Sequence, residues 1–130
     1  MTPTAEERDA IFKAFGRAFF KQDLDAMYQV VAPDFVWTVL AGDSVRTLDS
    51  REKIAAFFAE RKATVSDVRF GDVVFHHAPD ATFMTYSMSG VDKASGKPFA
   101  TVGVERYTFR DGKLAVKDVY GRPAPLAKAA

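Results

Sequence analysis

The period at which apolar residues recur changes near residue 61, and that change restricts the fold more than any single motif does. Before it, residues 4–20 place Ile11, Phe12, Phe15, Ala18 and Phe19 at three- and four-residue spacing, the mark of an amphipathic helix. Thr4 followed by Glu7 supplies a capping box at its start. Lys21 and Gln22 end this helix, and Asp23 caps a second, shorter one that carries Leu24, Met27, Tyr28 and Val31 before Pro33 closes it. Residues 35–40, Phe-Val-Trp-Thr-Val-Leu between Pro33 and Gly42, are aromatic and β-branched and read as a strand. A third helix runs from about residue 51 to 61, with Asp49 and Glu52 as its capping box and Ile54, Phe57 and Phe58 as its buried stripe.

Beyond that point the chain reads as strands. Extended runs cover about 67–77, 81–91, 97–110 and 113–121, separated by Ala78-Pro79-Asp80, by Lys93-Ala94-Ser95-Gly96 and by Asp111-Gly112. Helices gathered first and a meander of hairpins after them predict an α+β domain, three N-terminal helices packed on the concave face of a curved, mainly antiparallel β-sheet. A chain of 130 residues has room for one such core, so residues 1–130 are expected to form a single domain, with 122–130 as a loose tail.

Charge and composition exclude several function classes. The 18 basic and 17 acidic residues are scattered through both halves and leave a net charge of +1, so no face advertises a nucleic-acid or anionic-lipid partner. The absence of cysteine removes disulfides, thiolate nucleophiles and cysteine-held metals. The polar start, Met1-Thr-Pro-Thr-Ala-Glu-Glu-Arg, lacks the basic and then apolar pattern of a secretion signal, and no apolar run approaches the ~20 residues of a membrane span. A cytoplasmic protein is expected. His76 and His77 are adjacent, without metal-ligand spacing, and no metal site is expected. No glycine pattern of the phosphate-cradling kind joins a strand to a helix, so no cofactor is expected either.

The twelve Phe residues must line something. Strict alternation puts Met84, Tyr86 and Met88 on one face of their strand; Phe99, Thr101, Gly103, Glu105, Tyr107 and Phe109 share a face of the next, and Leu114, Val116, Asp118 and Tyr120 one of the last. A two-residue turn at Asp111-Gly112 would oppose Phe109 to Leu114, Tyr107 to Val116 and Glu105 to Asp118. Opposed β-carbons lie about 4.5–5.5 Å apart, so two carboxylates there would share a proton and act as acid and base together. A one-residue bulge would put them on opposite sides. The alternative is that both are structural, with Asp118 paired to Arg17 or Arg46 and Glu105 hydrogen-bonded beneath the helices. Trp37, Tyr86, Tyr107 and Tyr120 offer stacking and hydroxyl groups to a planar ligand or serve as core.

The order of helix, Lys-Gln-Asp-Leu-Asp-Ala-Met-Tyr helix, Pro-Asp-Phe-Val-Trp strand, Ser-Arg-Glu-Lys-Ile-Ala-Ala-Phe-Phe helix and a meander ending Phe-Arg-Asp-Gly-Lys-Leu-Ala-Val-Lys-Asp-Val-Tyr resembles the nuclear-transport-factor-2-like superfamily, with its SnoaL-like and ketosteroid-isomerase-like members. The resemblance spans nearly the whole chain. It implies a cone-shaped domain with a pocket between helices and sheet, lined by Phe15, Trp37, Val39, Phe58, Met84, Tyr86, Met88, Tyr107 and Tyr120, and a homodimer through the outer sheet face. Phe15 stands where steroid isomerases place a tyrosine and Val39 about where they place their base, while Glu105 keeps the late-strand acid, so steroid isomerisation is not expected. Similarity to limonene-epoxide hydrolases matches Asp118, but Thr85 and Ser87 stand where those enzymes carry Arg-x-Asp. The expectation is a small apolar ligand, either converted by Glu105 and Asp118 as acid and base or merely bound by a non-catalytic pocket or dimerisation module.

Overall fold

The computed structural model describes residues 2–41 and 43–126, apart from the side chain of Ala41. Helix α1, Ala5–Lys21, starts on the expected capping box: the Glu7 amide donates to Thr4 Oγ1 at 3.2 Å and the Thr4 amide donates to Glu7 Oε1 at 2.9 Å. It ends at Gln22, which takes the left-handed conformation. Asp23 caps α2, Leu24–Met27, by accepting from the Ala26 amide at 3.1 Å. Helix α3, Arg51–Thr64, is capped by Ser50 rather than by Asp49, which instead holds Lys53 Nζ at 2.8 Å.

Six strands form one sheet: β1 Val31–Ala41, β2 Ser44–Leu48, β3 Val65–His77, β4 Thr82–Asp92, β5 Pro98–Arg110 and β6 Lys113–Pro123. Their order is β2-β1-β6-β5-β4-β3, antiparallel throughout except where β1 runs parallel to β6. Two elements differ from the sequence expectation. The short β2 had no alternating apolar signal; only Leu48 of its five residues is buried. Strand β1 begins at Val31, not Phe35, and contains Pro33 at a break in its register with β6 between Val31 and Val36, where no ladder amide is missed. Gly42, expected to end that strand, lies outside the described residues. Residues 122–124, expected within a loose tail, are held to the sheet: Arg122 and Pro123 continue β6 and the Ala124 amide donates to Ala100 O at 2.9 Å; residues 127–130 lie outside the described residues.

Curvature comes from bulges. Strand β3 slips register twice against β4, between Ser66 and Arg69 and between Gly71 and Val74, and Asp67 and Asp72 take φ 53° at those points. The concave face receives the helices: Phe12 and Phe15 of α1 and Ile54 and Phe58 of α3 are buried with Phe35, Trp37, Leu48, Met84, Tyr86, Tyr107 and Leu114 of the sheet. Each such side chain contributes about 1.5–3 kcal/mol on burial. The start of α1 is fixed by the buried Arg8. Its Nε donates to Pro3 O at 2.9 Å, Nη1 to Ala78 O at 2.6 Å, to Ala81 O at 3.2 Å and to Thr82 Oγ1 at 3.2 Å, and Nη2 to Pro79 O at 3.1 Å.

Candidate functional site

The decisive local feature is a bulge in β6. Asp111 and Gly112 take positive φ, 53° and 77°, as a primed two-residue turn requires, and Arg110 and Phe109 oppose Lys113 and Leu114 as expected. Then the register shifts by one residue at Ala115, so that Leu114 and Ala115 are both buried. From there Tyr107 opposes Lys117, Arg106 opposes Asp118 and Glu105 opposes Val119. The expected Glu105–Asp118 pair is therefore not formed. Asp118 lies on the outer face, where its Oδ1 accepts from Thr38 Oγ1 at 2.9 Å, and it pairs with neither Arg17 nor Arg46. Tyr120 shares that face and is 61% exposed, so it does not line the inner pocket. Both border an outer recess of about 580 Å³ with Leu40, Val45 and Val104.

The bulge sends Lys117 inward in place of Asp118. Its ammonium lies 3.3 Å from Glu105 Oε1, and both side chains are about 95% buried, with 5% and 6% exposure. The Tyr107 hydroxyl donates to the same oxygen. Four aromatic rings surround Lys117 Nζ: Trp37 at 4.5 Å, Phe19 at 4.7 Å, Phe15 at 5.0 Å and Tyr107 at 5.8 Å. Negative ring faces and one carboxylate thus replace the water that a buried ammonium gives up. Burial pushes the Lys117 ammonium below its ordinary value, with Glu105 opposing the shift. It pushes the Tyr107 hydroxyl well above its own, in the same direction as the charge and hydrogen bond of Glu105. Tyr86 is pushed up to about 12, by burial first and then by Glu105, against Arg61. Its hydroxyl passes over Gly103, where a β-carbon would come within 2.6 Å of it; glycine is what lets Tyr86 lie flat on the sheet.

Glu105, Lys117 and Tyr86 form part of the wall of a cavity of about 370 Å³, bounded also by Phe19, Trp37, Val39, Phe57, Arg61, Phe70, Met88, Thr101 and Val119. That size accommodates a small organic molecule. A smaller recess of about 130 Å³ adjoins Glu105 and Lys117 among Phe12, Phe15, Met84 and Tyr107. Of the residues expected around the pocket, Trp37, Val39, Tyr86 and Met88 border the larger space and Phe15, Met84 and Tyr107 the smaller. Phe58 packs behind Phe19 and Trp37 at 6.0 and 5.9 Å between ring centres. Lys117 and Arg61 were not legible as site residues. The adjacent apolar pair Leu114-Ala115, in a strand that should alternate, is the signal that could have revealed Lys117. Arg61 projects from α3 with Nη2 3.1 Å from Met88 Sδ, and burial lowers its pKa from the ordinary value, against Tyr86 and Glu105.

Among the described residues no three His, Asp or Glu side chains come together as a metal site. His77 lies between Thr82 Oγ1 at 2.9 Å and Asp9 at 3.0 Å, and His76 is exposed on β3. No helix among them is long and apolar enough to cross a membrane.

Comparison with solved structures places this architecture. A nuclear-transport-factor-2-like protein from Burkholderia xenovorans superposes with a TM-score of 0.81 at 19% identity, covering 92% of both chains. A protein from Xanthomonas campestris pv. campestris proposed to be a polyketide cyclase gives 0.73 at 19% identity, covering 88% of this chain and 90% of the other. One from Bacillus subtilis proposed to be an isomerase gives 0.71 at 12% identity, over 90% and 87%. At these identities the likeness is one of fold. No curated protein matches the chain. The sequence profile of the SnoaL-like domain matches residues 12–117, and the chain accordingly belongs to that family, within the nuclear-transport-factor-2-like superfamily.

Proposed function

We propose that this SnoaL-like protein is a cofactor-independent isomerase, cyclase or hydrolase that moves a proton on a small, largely apolar carbonyl or polycyclic compound, with Glu105 as the proton-transferring group. The observation that supports it most is the placement of a buried, hydrogen-bonded carboxylate on the wall of a cavity that Phe19, Trp37, Phe57, Phe70, Tyr86 and Met88 also line. The Tyr107 hydrogen bond and the 3.3 Å approach of Lys117 Nζ both fall on Oε1, and Oε2 accepts no hydrogen bond among the described residues. In the proposed step Oε2 takes a proton from the carbon next to a carbonyl, and the electron pair of that C–H bond moves onto the carbonyl oxygen. The Tyr86 hydroxyl, which stays protonated at neutral pH, donates to the developing oxyanion. Glu105 then returns the proton to another carbon. Lys117 and Tyr107 hold the carboxylate in place. The neighbours proposed to be a cyclase and an isomerase agree with this class of chemistry. The exposed Leu40, Val45, Val104 and Tyr120 of the outer face support a homodimer through that face, and a cytoplasmic setting belongs to the same reading.

The test is proton exchange at the α-carbons of 2-tetralone in D2O, followed by proton NMR. Wild-type protein is expected to accelerate it and Glu105→Gln to lose about a hundredfold or more of that acceleration. Equal exchange in both proteins would sink the proton-transfer role. The second reading, a non-catalytic binding module, draws on Phe15 and Val39, which leave no tyrosine or carboxylate at their positions. Binding of 2-tetralone without accelerated exchange would favour it.

A further inference from the structure

The charges around the cavity do not balance. Three cationic side chains border it, Arg61, Lys117 and Arg122, against one carboxylate, Glu105. Lys117 already neutralises Glu105. Arg61, half-buried on α3, has no carboxylate partner among the described residues; its contacts are the Met88 thioether at 3.1 Å and the Phe19 ring at 5.9 Å. A thioether is a weak acceptor for a guanidinium, which carries five donors. Withdrawing such a cation from water without an acceptor is unfavourable. Trp37 and Thr101 also border the cavity, and Trp37 Nε1 and Thr101 Oγ1 are buried without a hydrogen-bond partner among the described residues. A guanidinium, an indole N–H and a hydroxyl are all hydrogen-bond donors, and the side chains that carry them border one cavity.

We infer that the ligand of this pocket is an organic anion, an aromatic or alicyclic body bearing a carboxylate, phenolate or enolate oxygen that Arg61 receives, with Trp37 and Thr101 as further donors. The inference rests on the reading of the cavity as a small-molecule site and adds the charge of the molecule to it. Arg61 supplies a planar fork that suits a two-oxygen anion. The aromatic lining of Phe19, Phe57, Phe70 and Tyr86 suits a flat body. Glu105, held to Lys117 and Tyr107, stands aside from the anion and remains available for the carbon skeleton. A catalysed compound would then carry both a reacting carbonyl and a separate anionic oxygen.

The experiment compares two molecules of nearly equal shape, 2-naphthoate and 2-naphthamide, by isothermal titration calorimetry with the full chain at pH 7. The acid is expected to bind at least about tenfold tighter, the advantage of a charge-assisted over a neutral hydrogen bond. Arg61→Met is expected to erase that preference, bringing the two affinities together, and Arg61→Lys to restore part of it. Circular dichroism and melting of each variant separate lost binding from lost folding, and the wild-type comparison stands without them. Amide binding as tight as acid binding overturns the anion inference and leaves the pocket reading intact. A preference that survives Arg61→Met overturns the assignment to Arg61. Absence of binding by both molecules counts against the pocket reading and the inference together.

Discussion

Replacing Lys117 by methionine is the sharpest test of the buried ion pair. The substitution keeps a long apolar side chain among Phe15, Phe19 and Trp37 and removes the charge 3.3 Å from Glu105 Oε1. The Glu105 carboxylate, 6% exposed, is then left with the Tyr107 hydroxyl as its hydrogen-bond donor. Breaking a buried pair from one side costs about 3–5 kcal/mol, a large share of the ~5–15 kcal/mol of a whole domain. Glu105→Gln leaves the ammonium inside its aromatic box, where cation–π attraction of ~0.5–2 kcal/mol per favourable ring persists, so it is expected to cost less. The double variant removes both charges and is expected to recover most of the Lys117→Met loss. Urea unfolding at pH 7 reads all four proteins. With a slope near ~2 kcal/mol per molar urea, Lys117→Met should lower the midpoint by roughly 2 M. The double-mutant cycle should return a coupling of ~2 kcal/mol or more. Additive single effects, with no recovery in the double variant, would refute the claim that these side chains are an interacting ionised pair.

Two further outcomes follow from the same structure. Tyr86, held up to about 12, and Tyr107, held well above its ordinary value, keep their protons when folded, whereas the unfolded chain releases both near pH ~10, so stability falls as pH rises beyond that point. Lys117 acts the other way: its folded pKa lies below 10.5, the unfolded chain binds more protons between the two values, and stability rises through that window. Urea midpoints between pH 8 and 11.5 should therefore pass through a maximum, the rise disappearing in Lys117→Met and the fall shrinking in Tyr86→Phe; a flat profile contradicts both assignments. Arg8→Met strips the donors from the carbonyls of Pro3, Ala78, Pro79 and Ala81 and should lower unfolding stability by ~2–4 kcal/mol, with Arg8→Lys recovering less than half because an ammonium cannot span the same set. A loss under ~1 kcal/mol would show that water replaces the guanidinium there.

Helices α1 and α3 and the four-strand meander were legible because each writes its own periodicity locally: Phe12, Phe15 and Ala18 mark one face of a helix, and Met84 and Tyr86 mark one face of a strand. The capping residues Thr4 and Asp23 were legible for the same reason. Strand β2 was not, since an edge strand with one buried residue out of five carries no alternating signal. The cap at Ser50 lost to Asp49 in the sequence because both residue types cap helices, and only the backbone decides which amide lies within reach. Parallel pairing of β1 with β6 joins segments about 80 residues apart, and no local pattern encodes it.

The site failed to be legible at a different level. The inward position of Glu105 is legible because its own strand, β5, alternates without interruption on the inner side from Thr101 to Tyr107. Its partner was misidentified because β6 gains one residue at Ala115, and a one-residue slip exchanges the two faces of everything beyond it. Asp118 inside would have produced two carboxylates sharing a proton. Lys117 inside produces a neutralised pair and leaves Arg61 as an uncompensated cation, which changes the charge of the molecule the cavity can accept. Leu114 and Ala115 can both be buried only if the strand bulges, and once it bulges the alternation of Lys117, Asp118 and Val119 fixes which charge faces the pocket. In a sheet-walled site of this kind, strand register therefore decides the class of ligand before residue identity does.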